Sequence, residues 1–206
     1  MKVVLNSACW PSLHYCYYLL NASEVQLQVH EYYERRSFRN RYTIGAANGP
    51  LSLSVPIIRP SEKAPTASIR ICYKEKWTHQ HQRSIESAYG KSPYFDFFGE
   101  EVLALYEKRY VYLVEFNAAQ LHLLSKILRR PFPITYTDNY FVPQEGWVDA
   151  QFIDPHHDFR HDSRVQKVLK EPYFQCFEHK HGFQPNLSIL DLLFQEGLGA
   201  CQYLQC

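Results

Sequence analysis

The chain has 206 residues, of which 46% are hydrophobic, so it is long enough to form one sizeable core. Its 22 Lys and Arg residues nearly balance its 21 Asp and Glu residues, and a net charge of +1 gives no overall attraction to nucleic acid or to an anionic membrane. The six cysteines include no Cys-x-x-Cys pair, which argues against a zinc ribbon and a disulfide scaffold. We expect a cytoplasmic protein, because the sequence has neither a signal peptide nor a transmembrane stretch.

The first part of the chain predicts mainly strands. Short apolar runs or a two-residue period indicate strands at 2–8, 24–30, 41–44, 51–58 and 67–73. Pro11 precedes a predicted helix, because Leu13, Tyr17 and Leu20 recur at helical spacing. The Asn48-Gly49 pair is a strong turn signal, so the strands on either side of it are expected to form a hairpin.

The rest of the chain predicts mainly helices. One helix begins at Trp77 and carries an apolar stripe that includes His81 and Tyr89. From Tyr94 the apolar spacing is again helical, and Asn117 with Gln120 resembles a capping pair that starts a further helix. A strand at 134–137 and a loop at 138–155 follow, and aromatic helical stretches are predicted at 173–177 and 187–194.

This order of elements predicts an α/β or α+β fold with a mostly helical C-terminal half. We expect a single domain over 1–206, with a strand-rich part at 1–75 and a mainly helical part at 76–206. The opening strand, turn and helix fit the first unit of a Rossmann-like sheet, although the chain contains neither G-x-G-x-x-G nor a P-loop.

His81 is the first candidate for catalysis, because a titratable ring lies among residues that face the core. An imidazole can act as a general base near neutral pH. The alternative is a core histidine bonded to a backbone carbonyl or a carboxylate. His79 lies on another face of the same helix and is expected at the surface.

A basic cluster at 35–41 is the candidate site for an anionic substrate. Guanidinium groups bind phosphate or carboxylate in a bidentate manner, and Arg39 and Arg41 point to the same side of an extended segment. The alternative is a solvated loop whose arginines pair with nearby glutamates. The predicted binding residues are Arg39, Asn40, Arg41, Glu31 and Tyr33.

Three further segments have the composition of functional sites and also have simpler explanations. Residues 154–162 are rich in His and Asp but lack His-Glu-x-x-His, and the alternative is that Asp154 or Asp158 caps a helix, so no metal is predicted. Ser188 and Asp191 place a hydroxyl near a carboxylate, as a helix cap with an acidic first turn also does. The turn that ends at His14 faintly resembles that of nucleotidyltransferases but lacks the second histidine.

Several separated segments together resemble the WbqC-like protein family over nearly the whole chain. They are Asn6-Ser7-Ala8, Trp10-Pro11, His30-Glu31-x-Tyr33, Arg39-Asn40-Arg41, Leu53-x-Val55-Pro56, Trp77 with His81 and Ile85, Ala88-Tyr89, Pro93-Tyr94-Phe95, Asp158-x-Arg160, 173–177 and 182–193. The resemblance implies a link to O-antigen and other surface-polysaccharide biosynthesis, for which a glycyl transferase role has been suggested. It brings no catalytic residue of proven role. It favours Arg39, Arg41, His81 and Tyr89 over His14 and the pair at 156–157.

Three hypotheses follow. The first is a transferase that modifies a nucleotide-linked or lipid-linked sugar, for instance with an aminoacyl group. In it, Arg39 and Arg41 hold phosphate or carboxylate, His81 deprotonates the attacking group and Tyr89 orients the acceptor. The second is a non-catalytic binding or scaffold subunit of a polysaccharide pathway, with a partner surface on the helices after Tyr94. The third is a nucleotidyltransferase-like protein. The expected partner is a small molecule or sugar nucleotide; cofactor and oligomeric state stay open.

Overall fold

The computed structural model describes residues 1–204, so Cys206 lies outside it. The strands are β1 (Lys2–Asn6), β2 (Glu24–Gln28), β3 (Arg41–Ala46), β4 (Gly49–Ser54), β5 (Ile134–Tyr136) and β6 (Trp147–Asp149). The helices are α1 (Leu13–Asn21), α2 (Trp77–Tyr89), α3 (Phe95–Ala104), α4 (Leu113–Ile127), α5 (Gln166–Lys170), α6 (Glu178–His181), α7 (Ile189–Glu196) and α8 (Gly199–Tyr203). The predicted mixed α/β fold with a helical C-terminal half is confirmed.

The central element is a parallel sheet in the order β5-β2-β1-β6. β1 is its core strand, because Val3, Val4 and Leu5 are fully buried and a strand covered on both faces needs a continuous apolar run. The chain proceeds from β1 through β2 to β5 on one side and then returns to place β6 on the other side of β1. This reversal creates a switch point between the carboxyl ends of β1 and β6, where open α/β sheets bind ligands.

The predicted hairpin is also confirmed. β3 and β4 pair in antiparallel register, and Ala46 lies opposite Gly49 at the turn. Gly49 has a φ of +103°, a conformation that side chains with a Cβ rarely adopt. Tyr42 and Ile44 point inward, so this two-stranded ribbon covers the core beside the main sheet.

Other element predictions are wrong. Residues 67–73 form no strand; a 3₁₀ turn at Thr66–Ser68 is followed by isolated bridges, because no neighbouring strand supplies a ladder there. β6 was missed inside the predicted loop at 138–155, and residues 173–177 are irregular rather than helical.

Helix α4 begins earlier than predicted. Glu115 accepts hydrogen bonds from the N–H groups of Val111 and Tyr112, which fixes the start at Leu113. Asn117 and Gln120 therefore lie inside the helix on its buried face, and Gln120 accepts from the N–H of Trp10. These two polar residues attach α4 to the loop after β1 instead of capping a helix. Within residues 1–204, no helix has both the length and the apolar character needed to cross a bilayer.

Candidate functional site

A cleft of about 250 Å³ opens near the carboxyl ends of β1 and β6, and we call it the switch-point cleft. Its lining comes from the loop after β1, from the β3–β4 hairpin and the segment before it, and from two loops of the C-terminal part. The lining residues are Trp10, Ser12, Phe38, Tyr42, Thr43, Pro50, Asp154, Pro155, His157, Phe159, Gln184, Pro185, Asn186, Leu187 and Ser188. A concave site with aromatic walls and a few polar groups at this edge is typical of ligand binding in α/β proteins.

Backbone strain coincides with this cleft. Trp10 has a φ of +33° and Asn186 a φ of +61°, and both line the cleft. Asparagine tolerates the left-handed region, whereas a bulky residue such as tryptophan is held there only by its surroundings. The N–H of Trp10 donates to Oε1 of Gln120 at 2.6 Å, and its indole donates to the hydroxyl of Tyr106 at 2.8 Å. Strained residues that are held in this way are common at functional sites.

A chain of hydrogen bonds connects Trp10 to His81. The hydroxyls of Tyr106 and Tyr42 lie 2.7 Å apart, and the Tyr42 hydroxyl lies 3.1 Å from Nδ1 of His81. Because the indole can only donate, Tyr106 accepts from it and donates to Tyr42, which in turn donates to Nδ1. Each hydroxyl in the chain is then both a donor and an acceptor, and His81 is the terminal acceptor.

His81 itself lies in the interior, with 2% of its surface exposed and the rings of Trp77, Tyr42 and Tyr106 around it. Burial lowers its pKa to about 4, although a backbone hydrogen bond to Ser54 acts in the opposite direction. The ring is therefore neutral at pH 7. In this geometry His81 supports Tyr42 at the wall of the cleft, and its role as a catalytic base stays a prediction.

The low pKa of His81 makes stability depend on pH. The folded protein favours the neutral ring of His81. Its contribution to the free energy of unfolding is therefore fully present above about pH 6.5, the usual pKa of histidine, and is lost as the pH falls towards 4. We expect a loss of about 3 kcal/mol over this range. Urea unfolding between pH 7 and 4 should show that His81→Gln, which does not titrate, has a weaker pH dependence than the wild type. The exposed His79→Gln should behave like the wild type; identical pH dependence in all three proteins would contradict the assignment.

The structure connects Tyr89 to a buried carboxylate. Its hydroxyl donates to Oδ1 of Asp191 at 2.8 Å and accepts from the N–H of Gly45 at 3.1 Å. Oδ2 of Asp191 accepts from the hydroxyl of Tyr173 at 2.6 Å and from the amide of Gln175 at 2.9 Å. Burial raises the pKa of Asp191, although these donors act to lower it. Tyr89 is fully buried here, and its role in orienting an acceptor stays a prediction.

The predicted anion-binding residues have partners inside the protein. Nε of Arg39 lies 2.7 Å from Oε1 of Glu31, and both side chains are buried. Asn40 donates to the carbonyl of Val55, and Nε of Arg41 donates to the hydroxyl of Ser54. Tyr33 is half-buried. Its burial raises its pKa, although the nearby arginines act to lower it. Their role in substrate binding stays a prediction.

Arg41, the last residue of the basic cluster, and His81 lie on opposite faces of the β3–β4 ribbon. Arg41 and Tyr42 are consecutive in β3, so their side chains point to opposite faces of the ribbon, and His81 lies on the Tyr42 face. The arrangement gives no shared hollow for Arg41 and the imidazole.

His14, which the family resemblance ranks below His81, is a second buried histidine and lies near the cleft. Nε2 of His14 lies 2.9 Å from Oδ2 of Asp162, and the hydroxyl of Tyr18 donates to the same oxygen at 2.5 Å. The His14 ring lies 6.0 Å from that of His157, which lines the cleft. Burial lowers the pKa of His14 and is only partly opposed by Asp162. His14 and Asp162 each lie in a segment that the sequence singles out. Because 148 residues separate them, no local pattern indicates their contact.

The segment 154–162 is held by turns. Oδ1 of Asp154 accepts from the N–H groups of His156 and His157, and Asp158 caps the 3₁₀ turn Phe159–His161 and pairs with Arg160. Asp158 thus caps a short helix, which was the alternative considered for it. In the part of the chain that the structure describes, no group of three or more His, Cys, Asp or Glu side chains is arranged to hold a metal ion.

Ser188 also caps a helix, because its side chain accepts from the N–H of Leu190 at the start of α7. Ser188 and Ser12 form an isolated bridge, so the first turns of α7 and α1 meet beside the cleft. The N–H of Leu13 donates to the carbonyl of Leu187, and that of His14 donates to Oδ1 of Asn186. The start of α1 is therefore already bonded to protein groups.

Comparison with known families now identifies the chain. A family model described as the WbqC-like protein family matches residues 7–147, which is more than half of the sequence. The chain belongs to the WbqC-like protein family. Comparisons with curated proteins and with solved structures found no match. The matched range includes Trp10, Thr43 and His81 but not the two C-terminal loops that complete the cleft.

Proposed function

We propose that this WbqC-like protein is a transferase that modifies a sugar in surface-polysaccharide biosynthesis, with its substrate bound in the switch-point cleft. The observation that carries the proposal is the position of the cleft, at the carboxyl edge of a parallel sheet where the strand order reverses. The family resemblance favours an aminoacyl group, such as glycyl, as the group transferred.

The chemistry of the cleft suits a neutral polar ligand. Its lining contains the carboxylate of Asp154, the amides of Gln184 and Asn186 and the hydroxyl of Thr43, next to aromatic rings such as Phe38. Sugar hydroxyls bind such donors and acceptors, while the apolar face of a sugar ring packs on an aromatic side chain. The lining residues include no Lys or Arg, so the cleft fits the sugar part of a substrate better than a phosphate.

The nucleotidyltransferase alternative has less support. A phosphate at the start of α1 would need free backbone N–H groups, but those of Leu13 and His14 are bonded to Leu187 and Asn186. The residues that line the cleft include no Lys or Arg to meet the charge of a triphosphate.

One observation favours the alternative of a binding subunit. The rings of Tyr94, Phe97 and Phe98 contact one another near the start of α3, and 71% of Phe97 is exposed. An exposed aromatic group of this kind suits a protein partner. It lies on a different element from the cleft and is compatible with a transferase that works within an assembly.

The proposal is tested by ligand binding followed by a transfer assay. In a thermal-shift screen, sugar-containing ligands should raise the melting temperature by a few degrees at saturating concentration, and nucleoside triphosphates should raise it no more than their matching monophosphates do. Thr43→Phe, which fills the cleft, should abolish the shift, while Thr135→Phe, an exposed site on β5, should keep it.

A mass increase of the bound sugar in the presence of a glycyl ester or thioester would then separate a transferase from a binding protein. Absence of a shift with every sugar, or an equal shift in Thr43→Phe, would count against the proposal. A specific response to triphosphates would favour the nucleotidyltransferase alternative.

A further inference from the structure

His14 differs from the other buried histidine in what its two ring nitrogens do. Nε2 faces Oδ2 of Asp162 at 2.9 Å, whereas Nδ1 is buried without a hydrogen-bond partner among the described residues. His81 is equally buried, at 2% exposed against 1% for His14, but its Nδ1 is bonded to Tyr42 and the ring also bonds the backbone of Ser54. An unpaired buried nitrogen costs free energy, so it calls for a ligand or a function.

Asp162 fixes which nitrogen of His14 carries the proton. Its carboxylate also accepts from the hydroxyl of Tyr18 and from the N–H of Arg164, so it is held as an acceptor in one orientation. Burial tends to raise the pKa of Asp162, but the hydrogen bonds from Tyr18 and His14 keep it below its ordinary value. A carboxylate at Nε2 requires the proton on that nitrogen, which leaves a lone pair on Nδ1.

The ring of His14 lies behind that of His157, which lines the switch-point cleft. The rings of Phe152 and His157 lie 4.6 Å from each other, and each lies about 6 Å from the ring of His14. Both belong to the loop that follows β6, and Phe152 is 38% exposed. His14 thus lies immediately behind a residue of the cleft lining, at the edge of the sheet where substrates are expected.

We propose that His14 is the proton acceptor of this cleft, that Asp162 positions it, and that the acceptor substrate presents a hydroxyl or an amine to Nδ1. This inference rests on the proposed function, and it deepens it by naming the class of acceptor and the receiving atom. Phe152 and His157 form the cover that moves aside when the substrate enters.

The transfer step balances with an acyl ester or thioester as the donor. Nδ1 takes the proton from the hydroxyl or amine, whose oxygen or nitrogen forms a bond to the acyl carbon. The bond between that carbon and the leaving group breaks, and its electron pair leaves with the alkoxide or thiolate. The proton on Nδ1 then passes to this leaving group, while Asp162 stays ionised and stabilises the intervening imidazolium.

Acylation with diethyl pyrocarbonate, followed by peptide mass spectrometry, tests whether Nδ1 can be reached. The reagent modifies unprotonated, unbonded imidazole nitrogens, so His14 should react while the equally buried His81 does not. Phe152→Ala should increase the rate at His14 by roughly tenfold or more, because it removes part of the cover. His14 unmodified in both proteins, or modified only together with His81, would overturn the proposal.

Hydrolysis of 4-nitrophenyl acetate tests proton transfer without any sugar, so its result is independent of the ligand screen. His14→Gln should reduce the protein-dependent rate by roughly tenfold or more, while the exposed His156→Gln should leave it unchanged. The groups that face His14 are Asp162, Tyr18 and His157, with Arg164 beyond them.

The pH profile separates positioning from a merely structural role. Asp162→Asn removes the carboxylate that raises the pKa of His14. The pH profile of 4-nitrophenyl acetate hydrolysis should therefore move to lower pH, and the maximal rate should fall. A structural role would lower the melting temperature without moving the profile. Equal rates in the wild type and His14→Gln, or an unmoved profile in a folded Asp162→Asn protein, would refute the assignment.

Discussion

Replacing Arg39 by methionine should lower the free energy of unfolding by about 3–5 kcal/mol, because it leaves the carboxylate of Glu31 buried without a counter-charge. Glu31 keeps only the hydroxyl of Thr66 as a donor to Oε1, and its Oε2 has no hydrogen-bond partner among the described residues. Urea unfolding at pH 7 measures the loss directly.

The double variant Arg39→Met/Glu31→Gln should recover much of this loss, because it removes the buried charge together with its partner. Arg35→Met is the matched control: the residue is exposed in the same basic cluster, and its replacement should change stability by about 0.5 kcal/mol or less. If Arg39→Met instead costs less than about 1 kcal/mol while ligand binding is lost, the residue serves substrate binding and not the fold.

Local periodicity explains which parts of the fold could be predicted. β1, the hairpin and α2 each carry a pattern that is complete within one segment: an apolar run, an Asn-Gly turn, or a stripe at helical spacing. β6 has three residues, and only its pairing with β1, with Val148 opposite Val3, makes it a strand. Because β6 creates the switch point, the sequence did not show that the cleft lies between the carboxyl ends of β1 and β6.

The same distinction applies to the site. The apolar stripe of α2 correctly predicts that His81 faces the core, but its partner Tyr42 comes from a different element, and no local pattern indicates that contact. Asn117 and Gln120 resemble a capping pair because their spacing is right, yet tertiary hydrogen bonds to Ser7 and Trp10 decide their role. Long-range complementarity of polar side chains is what the sequence alone did not reveal.

The second large effect on stability is expected from replacing Asp191. Asp191→Ala should lower the free energy of unfolding by about 3 kcal/mol or more, because the buried hydroxyls of Tyr89 and Tyr173 lose the acceptor of their hydrogen bonds. The amide of Gln175 loses one acceptor but keeps the carbonyl of Gln184. Each unsatisfied donor costs about 1–3 kcal/mol, and removal of a buried carboxylate offsets only part of that sum. Chemical denaturation at pH 7 gives the measurement.

Asp96→Ala is the matched control, because Asp96 is also an acidic residue in the first turn of a helix but is exposed. Its replacement should cost only the interaction with the helix dipole, about 0.3–1 kcal/mol. If Asp191→Ala costs no more than Asp96→Ala, Asp191 acts as an ordinary first-turn residue and the buried network does not stabilise the fold. Tyr89→Phe should lower the free energy of unfolding less than Asp191→Ala does, because it removes only one of the donors to the carboxylate. Tyr89 also accepts from the N–H of Gly45 in the hairpin. This pair of results would mean that the carboxylate holds α2, the hairpin and α7 together.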